Sequence, residues 1–218
     1  MALGSAYGLK PGQYFAGERR DIVERLPSDS ACTILEIGCG NGATGALARQ
    51  MGKCGRYVGV ELLPKAAEIA RERLDTVYLA DIEQFELPDP PGTYDALIAS
   101  EVLEHLVDPW RVLSRLRPVL KSGALVFASS PNVAHHSTIL MLLRGDWKLE
   151  DMGRMDRTHL RWFTPMSYVE MFRSCGYDVL AVDPVAPPGL KPRLFNLFTG
   201  AKLKHLFISQ MLVEARAP

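Results

Sequence analysis

Residues 33–42 read TILEIGCGNG, a short apolar run that ends in a cluster of glycines. The run Thr33–Ile37 is partly β-branched and bounded by glycine, so it predicts a buried strand. Small residues at positions 43–51 follow directly and predict a helix. Glycines between a strand and a helix permit positive φ angles and let a ligand approach the backbone. We therefore predict a nucleotide-type binding loop at this point of the chain.

Strand-like and helix-like segments alternate after this loop. Strands are predicted at residues 56–60, 76–80, 94–99 and 123–129, and helices at residues 64–74 and 109–120. Strands that alternate with helices of about ten residues indicate βαβ crossovers, and hence a parallel sheet covered on both faces. The prediction is an α/β fold of the doubly wound, Rossmann-like type.

The remaining segments complete a single expected domain. Further predicted elements are helices at residues 14–26, 137–143 and 165–175 and strands at residues 177–182 and 206–215. The helix at 137–143 is expected in the core or in a lid. Residues 190–206 mix apolar and basic side chains, which favours a helix over the substrate mouth or at a dimer contact; contact with an anionic membrane is the alternative. We divide the domain into an N-terminal helix and lid (1–31), a cofactor-binding core (32–130) and a substrate side (131–218).

Composition excludes several classes of protein. Lys and Arg number 25 and Asp and Glu number 25, so the formal net charge is zero. A balanced charge removes the simplest source of nucleic-acid affinity, a basic face, so no nucleic-acid partner is expected. The four cysteines form no CxxC pair, which disfavours a zinc knuckle. The chain has neither a signal-peptide pattern nor an apolar run of roughly 18 residues, so a cytoplasmic location is expected. Its oligomeric state is left open between monomer and homodimer.

Acidic residues stand at the predicted strand ends around the glycine loop. Glu36 precedes Gly38 by two residues, where a carboxylate can accept from a cationic amino group. Glu61 ends the next strand, where an acid can bind both hydroxyls of a ribose. Asp81 and Ile82 follow the third strand, where they can meet the exocyclic amine and the ring face of an adenine.

These motifs, taken in order, resemble a known family. ILEIGCGNGATG, VGVEL, ADIEQFELP and YDALIASEVLEHLVDPW are similar to the motifs of the class I S-adenosylmethionine-dependent methyltransferases, over about residues 14–182. The resemblance implies a mostly parallel seven-stranded sheet with an antiparallel last strand, and S-adenosylmethionine as cofactor. The predicted cofactor-binding residues are Glu36, Gly38, Gly40, Gly42, Glu61, Leu62, Asp81, Ile82 and Ser100.

Two other classes of protein stay open beside this one. Residues 40–45 also satisfy the GxGxxG pattern of NAD-dependent oxidoreductases, although that pattern alone is a weak signal. A non-catalytic cofactor-binding protein would carry the same loop. Within the methyltransferases, an N-methyltransferase acting on a small metabolite is the alternative to an O-methyltransferase.

The segment Glu101-Val-Leu-Glu104-His105 is similar to the corresponding stretch of ubiquinone-biosynthesis O-methyltransferases and of the terminal 2′-O-methyltransferases of small RNAs. That resemblance implies a site for a divalent cation such as Mg²⁺. Its ligands would be Glu101, Glu104, His105 and the later His159. Such an ion can lower the pKa of an alcohol and orient it. In the metal-free alternative a histidine is the general base. The candidates for that base are His105, His135, His136 and His159.

The last third of the chain carries the predicted acceptor side. SSPNVAHH and GRMDRTHLRWFTP resemble segments of methyltransferases associated with bacterial glycan pathways. Tyr14, Asp156 and Arg161 are predicted to contact substrate; sheet packing for Tyr14 and an internal salt-bridge cluster for the other two are the alternatives. The predicted reaction is O-methylation of a polar small molecule or saccharide hydroxyl. A lipid-linked acceptor with peripheral membrane contact is a further option.

Overall fold

A computed structural model describes residues 17–187, 189, 200 and 202–218. Seven strands form one sheet in the order β3-β2-β1-β4-β5-β7-β6. Their bounds are Thr33–Ile37 for β1, Arg56–Glu61 for β2, Thr76–Leu79 for β3, Tyr94–Ser100 for β4, Leu120–Pro131 for β5, Asp178–Pro184 for β6 and Gln210–Arg216 for β7. The predicted Rossmann-like architecture is confirmed.

Strand direction sets the position of the binding edge. The pairs β1–β2, β2–β3, β1–β4 and β4–β5 are parallel, whereas β7 is antiparallel to both β5 and β6. The strand order reverses between β1 and β4, because the chain runs from β1 outward to β3 and then returns to the other side of β1. Ligands bind in such sheets beyond the carboxyl ends of the strands at this reversal.

Six α-helices connect the strands within the described residues. They are α1 (Arg20–Val23), α2 (Ala43–Gln50), α3 (Pro64–Arg71), α4 (Pro109–Leu116), α5 (His136–Leu143) and α6 (Pro165–Ser174). Proline opens α3, α4 and α6, where its missing N–H costs no intrahelical bond. The side chain of Asp108 caps α4, and Thr164 and Ser167 form a capping box at α6.

Several predicted boundaries differ from the structure. The helix predicted at residues 109–120 ends at Leu116 and continues as a 3₁₀ turn, Arg117–Val119, because Pro118 cannot extend the α-helical bonding. The strand predicted from residue 206 begins at Gln210, after the 3₁₀ turn Lys204–Phe207. Helix α1 covers only the centre of residues 14–26, and positions 14–16 lie outside the described residues.

Side chains alternate between the two faces of the sheet. Leu35, Leu97 and Val126 pack in one buried cluster. Their chain neighbours Ile34, Ile98 and Phe127 pack in a second cluster on the opposite face. Successive residues of a strand point to opposite sides, so both faces of the sheet are covered, as a parallel sheet requires.

Helix α5 does not belong to the core, contrary to the first of the two expectations for it. Only Thr138 of this helix is buried, whereas Leu142 and Leu143 are 52% and 78% exposed. Most of the basic amphipathic stretch at 190–206 lies outside the described residues. In the part of the chain that the structure describes, no helix has the length and apolar character needed to cross a membrane.

Helix α2 packs so closely on the neighbouring elements that one added methyl group, at Gly45, is expected to lower the stability of the fold. A Cβ on Gly45 would lie 2.3 Å from Leu74 Cδ2 and 2.7 Å from Tyr57 Cδ1. We expect Gly45→Ala to lower the free energy of unfolding by about 1–3 kcal/mol, as overpacking does. Urea denaturation measures it. The control is Gly17→Ala, where the new Cβ meets nothing within 4 Å; equal effects of the two substitutions would contradict the packing argument.

Candidate active site

A cavity of about 750 Å³, here called the first cavity, opens at the carboxyl ends of β1, β2, β3 and β4. It contains the predicted cofactor-binding residues except Gly42: Glu36, Gly38, Gly40, Glu61, Leu62, Asp81, Ile82 and Ser100. Sequence reasoning could bring them together because each follows or ends a strand of the same sheet edge. Their place in the wall of one cavity is consistent with the predicted role.

The glycine loop forms one wall of the first cavity with its backbone. Gly38 and Gly40 have φ angles of +68° and +53°, in the left-handed region that favours glycine. A Cβ on Gly38 would lie 2.3 Å from Val102 Cγ2, so a side chain would close the space between the ends of β1 and β4. Gly42 precedes α2 and is not part of the cavity wall, and a Cβ there would meet Leu74 Cγ at 3.1 Å. Close packing of the helix thus also requires glycine here, and cofactor binding by Gly42 stays a prediction.

Glu36 is a buried acid in the wall of the first cavity. Glu36 is only 3% exposed, and the Tyr57 hydroxyl donates a hydrogen bond to Glu36 Oε2 at 2.8 Å. Burial raises the pKa of Glu36 to about 8, against the opposing effects of the Tyr57 bond and the Arg19 charge. Glu36 is thus mostly protonated at neutral pH, and a bound cation would favour its charged form.

Glu61 and Asp81 end neighbouring strands and differ in environment. Glu61 is buried, and its carboxylate accepts from the backbone amides of Gly40 at 2.8 Å and Leu63 at 2.9 Å. Burial raises the pKa of Glu61, while these amide bonds oppose the rise. Asp81 is exposed and accepts from the Glu83 amide at 2.9 Å. Both carboxyl groups are held by backbone bonds, which fixes their directions in the cavity.

Arg19 is a cavity residue that sequence reasoning missed. Its side chain is 15% exposed and lines the first cavity. The guanidinium donates to Ser129 Oγ at 2.5 Å and to the Ser100 hydroxyl, and it pairs with Asp21. Arg19 precedes α1, far from the strand ends that marked the other residues. The only signal in the sequence was a cation ahead of a short helix, which is not specific.

A second cavity, of about 480 Å³, adjoins the first one. The two cavities share Glu101 and Gly153 as wall residues. Other residues of the second cavity come from α5, the loop before α6 and the start of β7; they include Ser137, Met141, Arg154 and Gln210. A molecule in the second cavity can therefore reach a ligand in the first one at Glu101.

Glu101 has a strained backbone at this junction. Its φ angle is +56°, and no other non-glycine residue in the described ranges has a positive φ. Such a conformation costs about 1 kcal/mol or more and is typical of functional sites. The Glu101 carboxylate accepts from Ser129 Oγ at 2.9 Å. This strained residue, bonded to Ser129, lines both cavities.

Three buried side chains form a group that can hold a metal ion. One donor atom from each of Glu104, His105 and His159 lies within 4.8 Å of the others. Neither carboxylate oxygen of Glu104 has a hydrogen-bond partner among the described residues. Burial, with the Glu101 charge as the next cause, holds the pKa of Glu104 well above its usual range. Glu101, predicted as a fourth ligand, falls outside this group. The carboxylate of Glu101 accepts from Ser129 instead.

Backbone bonds orient the two histidine rings. His105 Nδ1 lies 3.2 Å from the Thr158 carbonyl oxygen, and His159 Nδ1 lies 3.1 Å from that of Arg154. A carbonyl only accepts, so each Nδ1 carries the hydrogen, and in the neutral ring Nε2 has the lone pair. This is the usual outer-shell arrangement of histidine ligands.

The loop before α6 is attached to this group through main-chain atoms. The Glu104 carbonyl oxygen accepts from the amides of Leu160 and Arg161, each at 2.9 Å. These two bonds hold the neighbouring His159 against Glu104 although the residues are far apart in the sequence. Spacing alone could not show this contact; it was available only through the resemblance.

His135 and His136 line neither cavity. Their rings stack at 4.1 Å at the beginning of α5, and His136 Nδ1 donates to the Leu206 carbonyl oxygen at 3.1 Å. Burial, helped by the Arg154 charge, lowers the pKa of His135 to about 4. Neither ring is part of the Glu104 group, and their role as general base stays a prediction.

The predicted substrate residues are also away from the cavity walls. Asp156 is buried and accepts from the Thr158 amide at 2.9 Å and the Thr158 hydroxyl at 2.8 Å. Arg161 donates to the Val107 carbonyl oxygen. Neither residue lines the first or the second cavity, so both contribute to the shape of the loop. Tyr14 lies outside the described residues.

Comparisons with known proteins give the family. A methyltransferase domain model matches residues 13–182, and the chain belongs to the class I S-adenosylmethionine-dependent methyltransferases. The cofactor of that family is S-adenosylmethionine. The chain is therefore an S-adenosylmethionine-dependent methyltransferase and not the NAD-dependent oxidoreductase that the GxGxxG pattern left open.

Relatives of known name cover most of the chain. A ubiquinone biosynthesis O-methyltransferase of Chromobacterium violaceum is 26% identical over 200 residues, which are 88% of this chain and 84% of that protein. A protein of the same name from Thiobacillus denitrificans is 29% identical over 151 residues, or 66% of this chain and 64% of that protein.

Solved structures share the fold at lower identity. An S-adenosylmethionine-dependent methyltransferase of Archaeoglobus fulgidus has a TM-score of 0.69 and 19% identity over 94% of this chain and 96% of that one. Phosphoethanolamine N-methyltransferase 2 of Haemonchus contortus, solved with S-adenosylmethionine, has a TM-score of 0.68 and 15% identity over 100% of this chain and 60% of that one.

The raised pKa of Glu36 predicts a pH-dependent stability. The folded-state pKa, about 8, is above the ordinary 4.5, so stability from Glu36 is complete below about pH 4.5 and is lost as pH rises through 8. Glu36→Gln cannot ionise, so its advantage over the wild type should grow between about pH 5 and 8. The slope is at most roughly 1.4 kcal/mol per pH unit.

Urea unfolding of the ligand-free protein at several pH values measures this difference. The exposed Glu86 provides a matched control, because Glu86→Gln removes an acid outside the cavities. We expect the difference in unfolding free energy between the Glu86→Gln variant and the wild type to stay the same at every pH. A difference for Glu36→Gln that does not change with pH would show that Glu36 is charged in the folded protein.

Proposed function

We propose that the protein transfers the methyl group of S-adenosylmethionine to a hydroxyl of a polar small molecule, with a divalent cation bound by Glu104, His105 and His159. The observation that carries the proposal is this buried group, with its unpartnered carboxylate and two oriented imidazoles beside the first cavity. The names of the O-methyltransferase relatives agree with an oxygen acceptor.

The walls of the first cavity suit each part of the cofactor. Arg19 and Glu36 offer a cation and an ionisable acid to the carboxylate and ammonium groups of its methionine end. Glu61 offers carboxylate oxygens to the ribose, and Asp81 with Ile82 takes the adenine. The absence of a side chain at Gly38 lets Val102 pack against the glycine loop, so that the loop presents its backbone to the first cavity.

The donor set favours a borderline ion over Mg²⁺. Two imidazoles and one carboxylate suit Mn²⁺, Fe²⁺ or Zn²⁺, whereas Mg²⁺ prefers oxygen ligands throughout. When bound, such an ion supplies Lewis acidity that lowers the pKa of an acceptor hydroxyl and fixes its direction. The Nδ1 bonds of His105 and His159 to backbone carbonyls put the lone pair of each neutral ring on Nε2, the atom that would coordinate the ion.

The transfer itself needs alignment and removal of one proton. The acceptor oxygen forms a bond to the methyl carbon as the sulfur–carbon bond breaks, and S-adenosylhomocysteine leaves with the electron pair. Glu101, at the junction of the two cavities, is placed to bind or accept the hydroxyl proton. Burial raises its pKa, which suits a proton acceptor working near neutral pH.

The reaction is tested with methyl-labelled S-adenosylmethionine in a host-cell extract, with Mn²⁺, with Mg²⁺ and with a chelator. We expect label in a water-soluble product, with a greater yield in Mn²⁺ than in Mg²⁺ and almost none with the chelator. Mass spectrometry distinguishes an O-methyl from an N-methyl product. Undiminished labelling in the chelator would contradict the metal and leave Glu101, or one of the predicted bases His105 and His159, to accept the proton unaided.

Cofactor binding gives a separate prediction. Asp81→Ala should weaken S-adenosylhomocysteine binding by about tenfold, since it removes a hydrogen-bonded carboxylate at the proposed adenine end. Isothermal titration calorimetry measures the affinity, and Asp178→Ala, an exposed acid on β6 away from both cavities, is the control. Unchanged affinity in the Asp81 variant would refute the adenine assignment.

Metal binding can be measured without turnover. His159→Ala should reduce Mn²⁺ affinity by at least about tenfold, because one of three protein ligands is lost. Free Mn²⁺, detected by electron paramagnetic resonance, reports the binding. His205→Ala removes a histidine that is not part of the Glu104 group and should bind Mn²⁺ like the wild type. Equal binding by both variants would place the ion elsewhere.

A further inference from the structure

The second cavity contains a cation that lacks a counter-ion. Arg154 Nη1 donates to Ser137 Oγ at 2.9 Å, and Nη2 donates to Ser209 Oγ at 2.8 Å. Its Nε has no hydrogen-bond partner, and no carboxylate of the described residues lies within ion-pair distance of the guanidinium. Two neutral hydroxyls therefore hold the cation, and the nearby Glu150, which lines the same cavity, acts on its charge without forming an ion pair.

Such an arrangement is costly unless a ligand supplies the missing charge. Arg154 is half-buried, and burial lowers its pKa; the nearby charge of Glu150 only partly opposes this. A desolvated charge without a partner destabilises a fold, so buried cations are normally paired. A guanidinium has five N–H donors arranged for planar anions, and the two serines use only two of them.

Arg154 lies where it could bind one end of the methyl acceptor. Arg154 and Glu101 line the same cavity, and Glu101 also lines the first cavity. A molecule that binds Arg154 through one end can thus present its other end at the junction with the cofactor. The volume of about 480 Å³ is within the usual range for small-molecule sites and accommodates one sugar ring with a substituent.

We propose that Arg154 binds an anionic group, a carboxylate or a phosphate, on the methyl acceptor and so makes the enzyme prefer acidic over neutral acceptors. This proposal rests on the proposed function only in taking the bound molecule to be the one that is methylated. Anion binding in the second cavity can be measured without methyl transfer. Ser137 and Ser209 position the guanidinium, and Arg154 is the specificity-determining residue.

Direct binding of three sugars tests the charge preference. Glucose, glucuronate and glucose 6-phosphate are titrated by NMR into the full-length protein saturated with S-adenosylhomocysteine. We expect at least one acidic sugar to bind more tightly than glucose by about tenfold, as a charge-assisted pair allows. The comparison of glucuronate with glucose 6-phosphate distinguishes a carboxylate from a phosphate site. Equal binding of all three sugars, or none by any of them, overturns the proposal.

Variants assign the preference to the residue. Arg154→Gln should remove the preference for the acidic sugar, whereas Arg144→Gln, which removes an exposed arginine at the end of α5 outside both cavities, should keep it. Should the Arg154→Gln variant not fold, Met141→Glu adds a carboxylate to the same wall and should also abolish the preference. A preference that persists in the folded Arg154 variant, or in the Met141 variant, overturns the proposal.

A labelling experiment separates this proposal from the proposed function. The extract is divided by anion exchange into neutral and acidic metabolites before incubation with labelled S-adenosylmethionine. Label in the acidic fraction supports the role of Arg154, and label in the neutral fraction alone overturns it. Absence of label from both fractions contradicts the proposed methyl transfer, while the sugar titrations still decide whether the second cavity binds anions.

Discussion

The ligand-binding edge of the sheet depends on one close contact, between the glycine loop after β1 and the segment after β4. Gly38 lies in the left-handed region, and the space of its missing side chain is filled to within 2.3 Å by Val102 Cγ2. Because the two strands are neighbours at the reversal of strand order, their carboxyl ends meet at the same point. The first cavity includes both Gly38 and Val102 in its wall, and the second cavity adjoins it at Glu101 and Gly153.

Buried or half-buried ionisable groups are the common property of the side chains around these cavities. Glu36 and Glu104 are buried acids with raised pKa values, and Arg154 is a half-buried cation held by hydroxyls. Each lowers the stability of the ligand-free protein, and each suits a group of opposite charge. Functional sites commonly violate the rules that stabilise the rest of a fold in this way. The stability of the protein and its ligand binding are therefore expected to oppose one another at these residues.

Sequence reasoning succeeded where local pattern and fold topology are sufficient. Glu36, Glu61 and Asp81 could be predicted because each belongs to a strand end, and a parallel sheet brings such ends to one edge. Arg19 and Arg154 could not, since each reaches its cavity from an irregular segment whose path depends on tertiary contacts. The pattern ExxEH likewise did not show that Glu101 is separate from the Glu104 group. Glu101 has a positive φ angle, and nothing in the residue type signals it.

The main-chain attachment of the loop before α6 has a consequence for how this protein can diversify. The bonds from the Leu160 and Arg161 amides to the Glu104 carbonyl oxygen involve no side chain, so they tolerate almost any substitution except proline. The same loop carries Arg154 into the second cavity. Mutations in the loop can thus alter which molecules are accepted while His159 keeps its place beside Glu104. In evolutionary terms, the loop can change the acceptor while its main-chain attachment is kept, and a library of variants at the exposed positions of residues 144–157 would sample new acceptors without rebuilding the site.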